Sequence, residues 1–221
     1  MTDVASRTAI VVFAKAPVPG EAKTRLIPHL GAAGAARLHA ALIERALETA
    51  RAADLGSVEL CCAPDAAHPF FATCAERYGV ALTAQAAGDL GTRMAAAFDR
   101  VVPDAGPALL IGTDCPALKS VHLREAAAAL ATGCDAVLGP AADGGYVLVG
   151  LARPSLQVFE GIEWGGSSVL RDSRARLATL GWRWHELAEL WDVDRPDDLT
   201  RLAERIEDGP RFLEAAMHAG A

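Results

Sequence analysis

Leu109-Leu110-Ile111-Gly112-Thr113-Asp114-Cys115-Pro116 decides how the rest of the chain is read. Three apolar residues run unbroken into Gly-Thr-Asp, and Pro116 then turns the chain away. A short apolar run bounded by glycine and proline is the pattern of a strand buried on both faces of a sheet. An acid at the carboxyl end of such a strand stands where open α/β sheets bind their ligands. Plain acids stand there too, capping the next helix or solvated in a turn. Asp114 therefore gains meaning from the other stretches that reach the same end of the sheet.

Upstream, residues 8–14 are β-branched at their centre and read as a first buried strand. They empty into Lys15-Ala16-Pro17-Val18-Pro19-Gly20-Glu21-Ala22-Lys23-Thr24-Arg25-Leu26, where two prolines and a glycine exclude regular structure through Gly20. Lys15, Lys23 and Arg25 place three cations within eleven residues of that strand's end. Backbone N–H groups with ammonium and guanidinium heads suit phosphate oxygens, although a solvated surface loop has the same composition. Residues 34–53 follow helical spacing, with Leu38, Leu42, Ala46 and Leu47 on one face. A strand over 57–63, a helix over 69–77 ended by Gly79 and a strand over 80–84 follow. This alternation predicts parallel pairing with right-handed crossovers. The stretch from Gln85 to Arg93, with Gly88 and Gly91, opens a helix that runs to about residue 102. Glycine beside a helix start permits close approach by a ligand, or Gly88-Asp89 is simply a turn and cap.

Downstream, residues 120–131 read as a helix and 135–138 as a strand, with 146–151 strand-like again. The link between those strands is too short for a crossover helix, so they are antiparallel or lie in different layers. Within it, Asp143-Gly144-Gly145 has the chemistry of a tight turn. Residues 154–168 look irregular, with an exposed-looking Trp164-Gly165-Gly166; 169–180 are helical and 182–187 form a last strand, where His185 reads as structural. Leu190-Trp191-Asp192-Val193-Asp194-Arg195-Pro196 leads to a helix over 196–207, so a capping role competes with any other role for Asp194. Residues 210–219 read as a terminal helix without evident chemistry.

The chain has 221 residues, 52% hydrophobic and 22% charged, which fits one domain spanning 1–221 with a full core. Its formal charge of −7 argues against a nucleic-acid surface. The five cysteines are scattered without metal-knuckle spacing and read as reduced cytosolic thiols. Cys115 lies beside Asp114, but no histidine accompanies it in sequence, so it is not read as a nucleophile. The apolar run 9–13 is too short for a signal peptide, and no stretch approaches the ~20 apolar residues of a membrane span. The expectation is a cytoplasmic protein with no membrane partner.

In a doubly wound sheet the crevice opens between the carboxyl ends of strands one and four. Those ends are the Lys15–Arg25 loop and Asp114: cations for phosphates, and a carboxylate for a hard divalent ion. Mg²⁺ takes about one or two protein carboxylates and fills its shell with water and phosphate. Asp192 or Asp194 would supply the second if the end of the last strand folds back over the crevice. The chemistry so implied is transfer from a nucleotide with a metal-stabilised leaving phosphate.

Phe13-Ala14-Lys15-Ala16-Pro17-Val18-Pro19-Gly20, Lys23-Thr24-Arg25-Leu26, Gly88-Asp89-Leu90-Gly91, Gly112-Thr113-Asp114-Cys115-Pro116, Asp143-Gly144-Gly145-Tyr146 and Asp192-Val193-Asp194 occur in one order. Together they resemble the glycosyltransferase-like family found beside radical-SAM/selenodomain proteins, including members labelled for arsenosugar biosynthesis. That family is similar to the GT-A nucleotide-diphosphosugar transferases, and more distantly to 2-phospholactate guanylyltransferase. The resemblance implies a three-layer α/β/α sandwich with a mixed, mostly parallel sheet of central order 3-2-1-4. It assigns a nucleotide or nucleotide-sugar donor to Ala14, Lys15, Gly20, Lys23, Arg25, Gln85, Gly88, Gly91 and Arg93. Mg²⁺ or Mn²⁺ falls to Asp114 and Asp194, and a small-molecule acceptor or the sugar to Asp143, Gly144, Gly145 and Tyr146. Asp114, Lys23, Arg25 and Asp143 form the catalytic set, with Asp143 as a base on an acceptor hydroxyl. Many GT-A glycosyltransferases carry Asp-x-Asp where this chain has Gly112-Thr113-Asp114, a lone acid closer to the nucleotidyltransferase branch. Glycosyl transfer is the leading expectation, nucleotidyl transfer with pyrophosphate release the alternative, and an idle nucleotide-binding module a third.

Overall fold

In the computed structural model, which describes residues 8–217, seven strands form one sheet of order β3-β2-β1-β4-β6-β5-β7. The strands are β1 (Ala9–Lys15), β2 (Val58–Ala63), β3 (Ala81–Ala84), β4 (Ala108–Ile111), β5 (Ala136–Pro140), β6 (Tyr146–Leu151) and β7 (Trp184–Glu186). The first four pair in parallel in the order 3-2-1-4, as the resemblance implies. The β5–β6 link resolves as an antiparallel hairpin, and β6 also runs antiparallel to β4. The sheet is therefore mixed and mostly parallel.

Burial explains the layering. Along β1, Ile10, Val12 and Ala14 face one side, where they join Ile43 and Leu47 of α1 (Ile27–Ala53) and Leu123 of α4 (Ser120–Ala131). Val11 and Phe13 face the other side, against Met94 and Phe98 of α3 (Leu90–Ala105) and Leu170 and Leu177 of α5 (Val169–Thr179). A central strand buried on both faces loses the polar alternation of an edge strand, which is why β1 and β4 read as continuous apolar runs. Helix α2 (Pro69–Tyr78) covers β2 on the α1 side through Phe71 and Cys74. Outside α1, helices α6 (Pro196–Arg205) and α7 (Gly209–Met217) bury Leu202, Phe212 and Ala216 against Leu38 and Leu42.

Some boundaries differ from the sequence pattern. Helix α1 is continuous by hydrogen bonding from Ile27, but Gly31 at φ +68° breaks it, so regular helix starts close to the expected residue 34. Helix α3 runs three residues past residue 102, with Pro103 in its last turn. β7 is shorter than the expected 182–187. Residues 218 and 219 of the expected terminal helix lie outside the described residues. Within Thr24–Ala53 an 18-residue window reaches mean hydropathy 1.2, so this helix is long and apolar enough by that measure to cross a membrane, although it holds no unbroken run of ~20 apolar residues. Its alanines raise the hydropathy, and its apolar stripe is spent on the sheet and on α7.

Trp164 is not the exposed ring that its Gly-Gly flank suggested. It is half-buried, edge-on to Tyr146 at 6.3 Å and tilted against Phe159 at 6.3 Å. His185 is structural, its Nε2 lying 3.0 Å from a Glu125 carboxylate oxygen. All five cysteines are free, and burial pushes the Cys115 thiol up to about 12, which removes it as a nucleophile.

Candidate active site

The carboxyl end of β1 delivers Lys15, whose ammonium folds back to donate to the Glu21 carbonyl at 3.0 Å. The loop closes on itself through Val18, whose carbonyl accepts from Glu21 N at 3.0 Å and Ala22 N at 3.1 Å. Lys23 then takes the left-handed conformation, φ +48°, which non-glycine residues seldom adopt. That backbone turns its side chain inward until only 3% of it is exposed. The Lys23 ammonium donates to the Val193 carbonyl at 2.6 Å, and lies 2.8 Å from Asp114 Oδ1 and 3.8 Å from Asp194 Oδ1. Relative to Asp114 it sits at ion-pair distance but off the direction of a hydrogen bond, leaving that oxygen without a donor.

Asp194 reaches this point because residues 190–194 cross the strand ends. Leu190 N donates to Pro140 O at 2.9 Å, Ala142 N to Leu190 O at 2.9 Å, and Val193 N to Asp114 O at 2.8 Å. The last strand's continuation thus folds back over the crevice and brings a second carboxylate, Asp194, to the Lys23 ammonium. The capping role that competed for Asp194 belongs to Asp198, whose carboxylate accepts from Asp194 N at 3.0 Å and Arg195 N at 2.7 Å. Asp194 is free to pair with Arg25.

His39 joins the site from α1 and was missed in the sequence. Its Nε2 bonds the Lys15 carbonyl at 3.0 Å, leaving Nδ1 buried, without a hydrogen-bond partner, and 3.9 Å from Asp114 Oδ1. Burial lowers its pKa, against the pull of Asp114, so the neutral ring with Nε2–H toward Lys15 O is the favoured form. The available signal was a histidine inside the apolar stripe of Ala35, Leu38, Leu42 and Ala46.

Two cavities meet at the Arg25–Asp194 pair. One, of about 370 Å³, is lined by Lys15, Lys23, Arg25, His39, Asp114 and Asp194. The other, of about 420 Å³, holds Asp143, Ser167, Asp192, Arg195 and Arg201, together with the same pair. Asp192, which the sequence left as the other choice for second acid, belongs to the second cavity. Burial first, then the carboxylates of Asp114 and Asp143, push it up to about 7. No group of three or more His, Cys, Asp or Glu side chains among the described residues is arranged to hold a metal; what converges is a pair of acids on one cation.

The remaining candidates fall on both sides of that line. Asp143 lines the second cavity, although its Oδ1 also accepts from Gly145 N at 2.9 Å, the turn bond its sequence suggested. Gly144, at φ +89°, packs against the Ser167 backbone with no room for a Cβ. Tyr146 turns away from both cavities into the core beside Trp164. Ala14 is buried in β1, paired with Cys62, and Gly20 is exposed in the loop. The 85–93 loop lines neither cavity. Gln85 donates to Cys61 O at 3.1 Å, Arg93 to Gly88 O at 2.8 Å, and Asp89 caps α3 through Thr92 N at 2.8 Å. Gly91 lies under the Trp164 indole, where an added Cβ would come within 2.7 Å of Nε1.

The chain belongs to the family described as "Uncharacterized protein conserved in bacteria (DUF2064)", whose model matches residues 46–166, more than half of it. It is similar to a solved protein from Desulfovibrio desulfuricans G20, provisionally named a nucleotide-diphospho-sugar transferase. Identity is 27% and the TM-score 0.84, over 96% of this chain and 97% of that one. The manganese complex of Rv0371c from Mycobacterium tuberculosis H37Rv shares the fold at 20% identity and TM-score 0.53, over 90% and 98% of the two chains. CMP:2-keto-3-deoxy-manno-octonic acid synthetase complexed with CTP does so at 14% and 0.53, over 88% and 96%. No curated protein sequence matches. The fold is that of nucleotide-based transferases.

Proposed function

We propose, with that family and fold as premise, that the chain is a divalent-metal-dependent transferase using a nucleotide-activated donor, and that it moves a glycosyl group from a nucleotide-diphosphosugar to a small-molecule hydroxyl. The observation that carries this reading is Lys23. One buried ammonium within reach of both Asp114 and Asp194 marks a point where two acids, eighty residues apart in sequence, converge on a single cation. Two carboxylates are about what Mg²⁺ or Mn²⁺ takes from a protein when phosphates complete its shell. The undonated Asp114 Oδ1 and His39 Nδ1 are buried acceptors suited to a cation or its bound water. Manganese in the Rv0371c complex supports the same choice of ion.

Such an ion on Asp114 and Asp194 would offset the charge gathering on the departing diphosphate. Lys15, Lys23 and Arg25 hold the phosphates, while the nucleotide role that the resemblance gives Ala14, Gly20 and the 85–93 loop falls outside the two cavities. Asp143, with the Gly144–Tyr146 turn behind it, stands on the acceptor side. In the transfer the acceptor oxygen bonds the anomeric carbon while the bond from that carbon to the diphosphate oxygen breaks. The electron pair leaves with the diphosphate toward Lys15 and Arg25, and the acceptor proton passes to the Asp143 carboxylate. We treat residues 1–221 as one catalytic domain in a reducing, cytoplasmic setting, which the five free thiols fit.

Nucleotidyl transfer is favoured by one specific feature. Gly112 stands two residues before Asp114, where an Asp-x-Asp site has its first acid, and a side chain there would meet open space. In that reaction an acceptor phosphate oxygen attacks the α-phosphorus and pyrophosphate leaves. The resemblance to the radical-SAM-associated glycosyltransferase-like proteins weighs toward the first reaction. Incubation with nucleoside triphosphates and with nucleotide sugars, in Mg²⁺ or Mn²⁺, separates the two. Nucleoside diphosphate release supports glycosyl transfer, pyrophosphate release supports nucleotidyl transfer, and neither product would reduce the protein to a nucleotide-binding module.

A further inference from the structure

Resting on the transferase reading, we propose that Lys23 is the site's own counter-ion: its ammonium holds the place of the divalent ion between Asp114 and Asp194, and yields it only when a diphosphate draws the lysine away. Metal and donor then enter as one complex.

Three independent observations lead there. First, the ammonium is nearly sealed from water, and its surroundings are two carboxylates and one carbonyl, a shell of oxygen atoms at 2.6 to 3.8 Å. A unit positive charge in that shell does the electrostatic task of a hard cation. Lysine and a divalent ion cannot share it, because two cations at that separation repel. Second, the backbone at Lys23 lies in the left-handed region, which a lysine seldom adopts, and its ammonium is anchored on Val193 O. Strain of that kind persists only while surrounding contacts hold it, and it clusters at active sites, ligand clamps and switch segments. Third, the residue is placed to change partners. Lys23 lies in the loop with Lys15 and Arg25, and all three line the smaller cavity. A diphosphate there offers the ammonium phosphate oxygens in exchange for the half-exposed carboxylates of Asp114 and Asp194 that it now serves.

The departure of Lys23 would leave Asp114 Oδ1 and His39 Nδ1, two buried acceptors 3.9 Å apart, facing the vacated point. Two lone pairs so placed need a cation or a water donor between them. The acid pair alone is thus neutralised by lysine, and metal with phosphate replaces that neutralisation in a single exchange. By linkage, whatever factor the phosphate gives to metal affinity, the metal returns to phosphate affinity.

The test titrates Mn²⁺ alone into metal-free full-length protein, counting free ion by electron paramagnetic resonance. Removing a buried competing charge at this distance raises affinity by about tenfold or more, so Lys23→Met is expected to bind Mn²⁺ at least about tenfold tighter than the parent. Lys23→Arg, which keeps the charge, is expected to bind no tighter than the parent, and Asp114→Ala is expected not to bind. Inorganic pyrophosphate, titrated calorimetrically without metal, is expected to bind Lys23→Met about tenfold more weakly. Thermal melting of each variant confirms that it is folded. If Lys23→Met binds Mn²⁺ no better than the parent while Asp114→Ala abolishes binding, the counter-ion role is wrong and the metal site stands. If Asp114→Ala binds Mn²⁺ measurably and as tightly as the parent, or if no protein in the series binds it, the metal reading itself falls.

Discussion

Arg25 and Asp194 are 169 residues apart in sequence, and their ion pair is the wall common to the two cavities. On one side lie Lys15, Lys23 and His39; on the other lie Asp143, Asp192 and Arg201. A donor on the first side and an acceptor on the second would meet at this pair. Since the Arg25 side chain is 66% exposed, the pair adds little to stability, within about 1 kcal/mol. Arg25→Met should therefore leave thermal melting nearly unchanged while weakening nucleoside diphosphate binding about tenfold, a loss that shrinks as salt screens the parent. Calorimetry at two ionic strengths checks both parts.

Asp114 carries a larger share. Its substitution by Asn keeps the shape and removes the charge that faces Lys23. Lost metal or phosphate stabilisation of this kind costs about 10²–10³ in kcat. The fold should also soften, by about 1–2 kcal/mol, because Lys23 is buried and would keep only the more distant Asp194 as counter-charge. A variant that melts like the parent and turns over at a comparable rate would remove Asp114 from the site.

Gly91 can be assigned by a packing test. The sequence offers it as a place where a nucleotide approaches the start of a helix, but the structure puts the Trp164 indole over it. Gly91→Ala should destabilise by about 1–3 kcal/mol through overpacking. Trp164→Leu in the same chain should recover part of that loss, since the two sites are in contact. Were the glycine kept for a ligand alone, melting would not change and only nucleotide affinity would fall.

How much of this was legible follows from what each feature depends on. β1 and β4 are buried on both faces, and their apolar runs, with the acids and cations at their ends, announce the crevice without any tertiary knowledge. Helix stops at Gly79 and Gly133 and the hairpin at Asp143–Gly145 rest on local backbone chemistry and were equally readable. His39 was hidden because its function depends on α1 passing behind the Lys15 carbonyl, a contact across 24 residues that leaves no periodic trace. Trp164 misled for the converse reason. Its glycine neighbours speak for a loop, whereas the pocket that covers the ring comes from Tyr146, Phe159 and Gly91. The inward turn of Lys23 could not be read either, since its partners, Val193 O and the two acids, lie about 90 to 170 residues away in sequence and left-handed backbone at a lysine has no local signature.

Asp192 gives a prediction in pH. It faces Asp114, Asp143 and Asp194, whose charges add to burial, the largest cause of its rise to about 7, while Lys23 opposes them. A carboxyl whose native pKa lies above its unfolded value of about 4 holds a proton that the unfolded chain has already lost. Its contribution to stability is therefore present in full at acid pH, declines as pH rises from about 4 to about 7, and is constant above that. His39 works in the opposite sense. Its lowered pKa costs stability as pH falls below its unfolded value of about 6.5, so the parent's profile mixes the two. The difference between the parent and Asp192→Asn isolates the acid. In metal-free buffer, chemical denaturation from pH 4 to pH 8 should show the variant gaining on the parent by on the order of 3 kcal/mol across that window, with the change complete near pH 8. A constant difference would mean that Asp192 is ionised in the native state throughout, and that water or a cation reaches it in the second cavity.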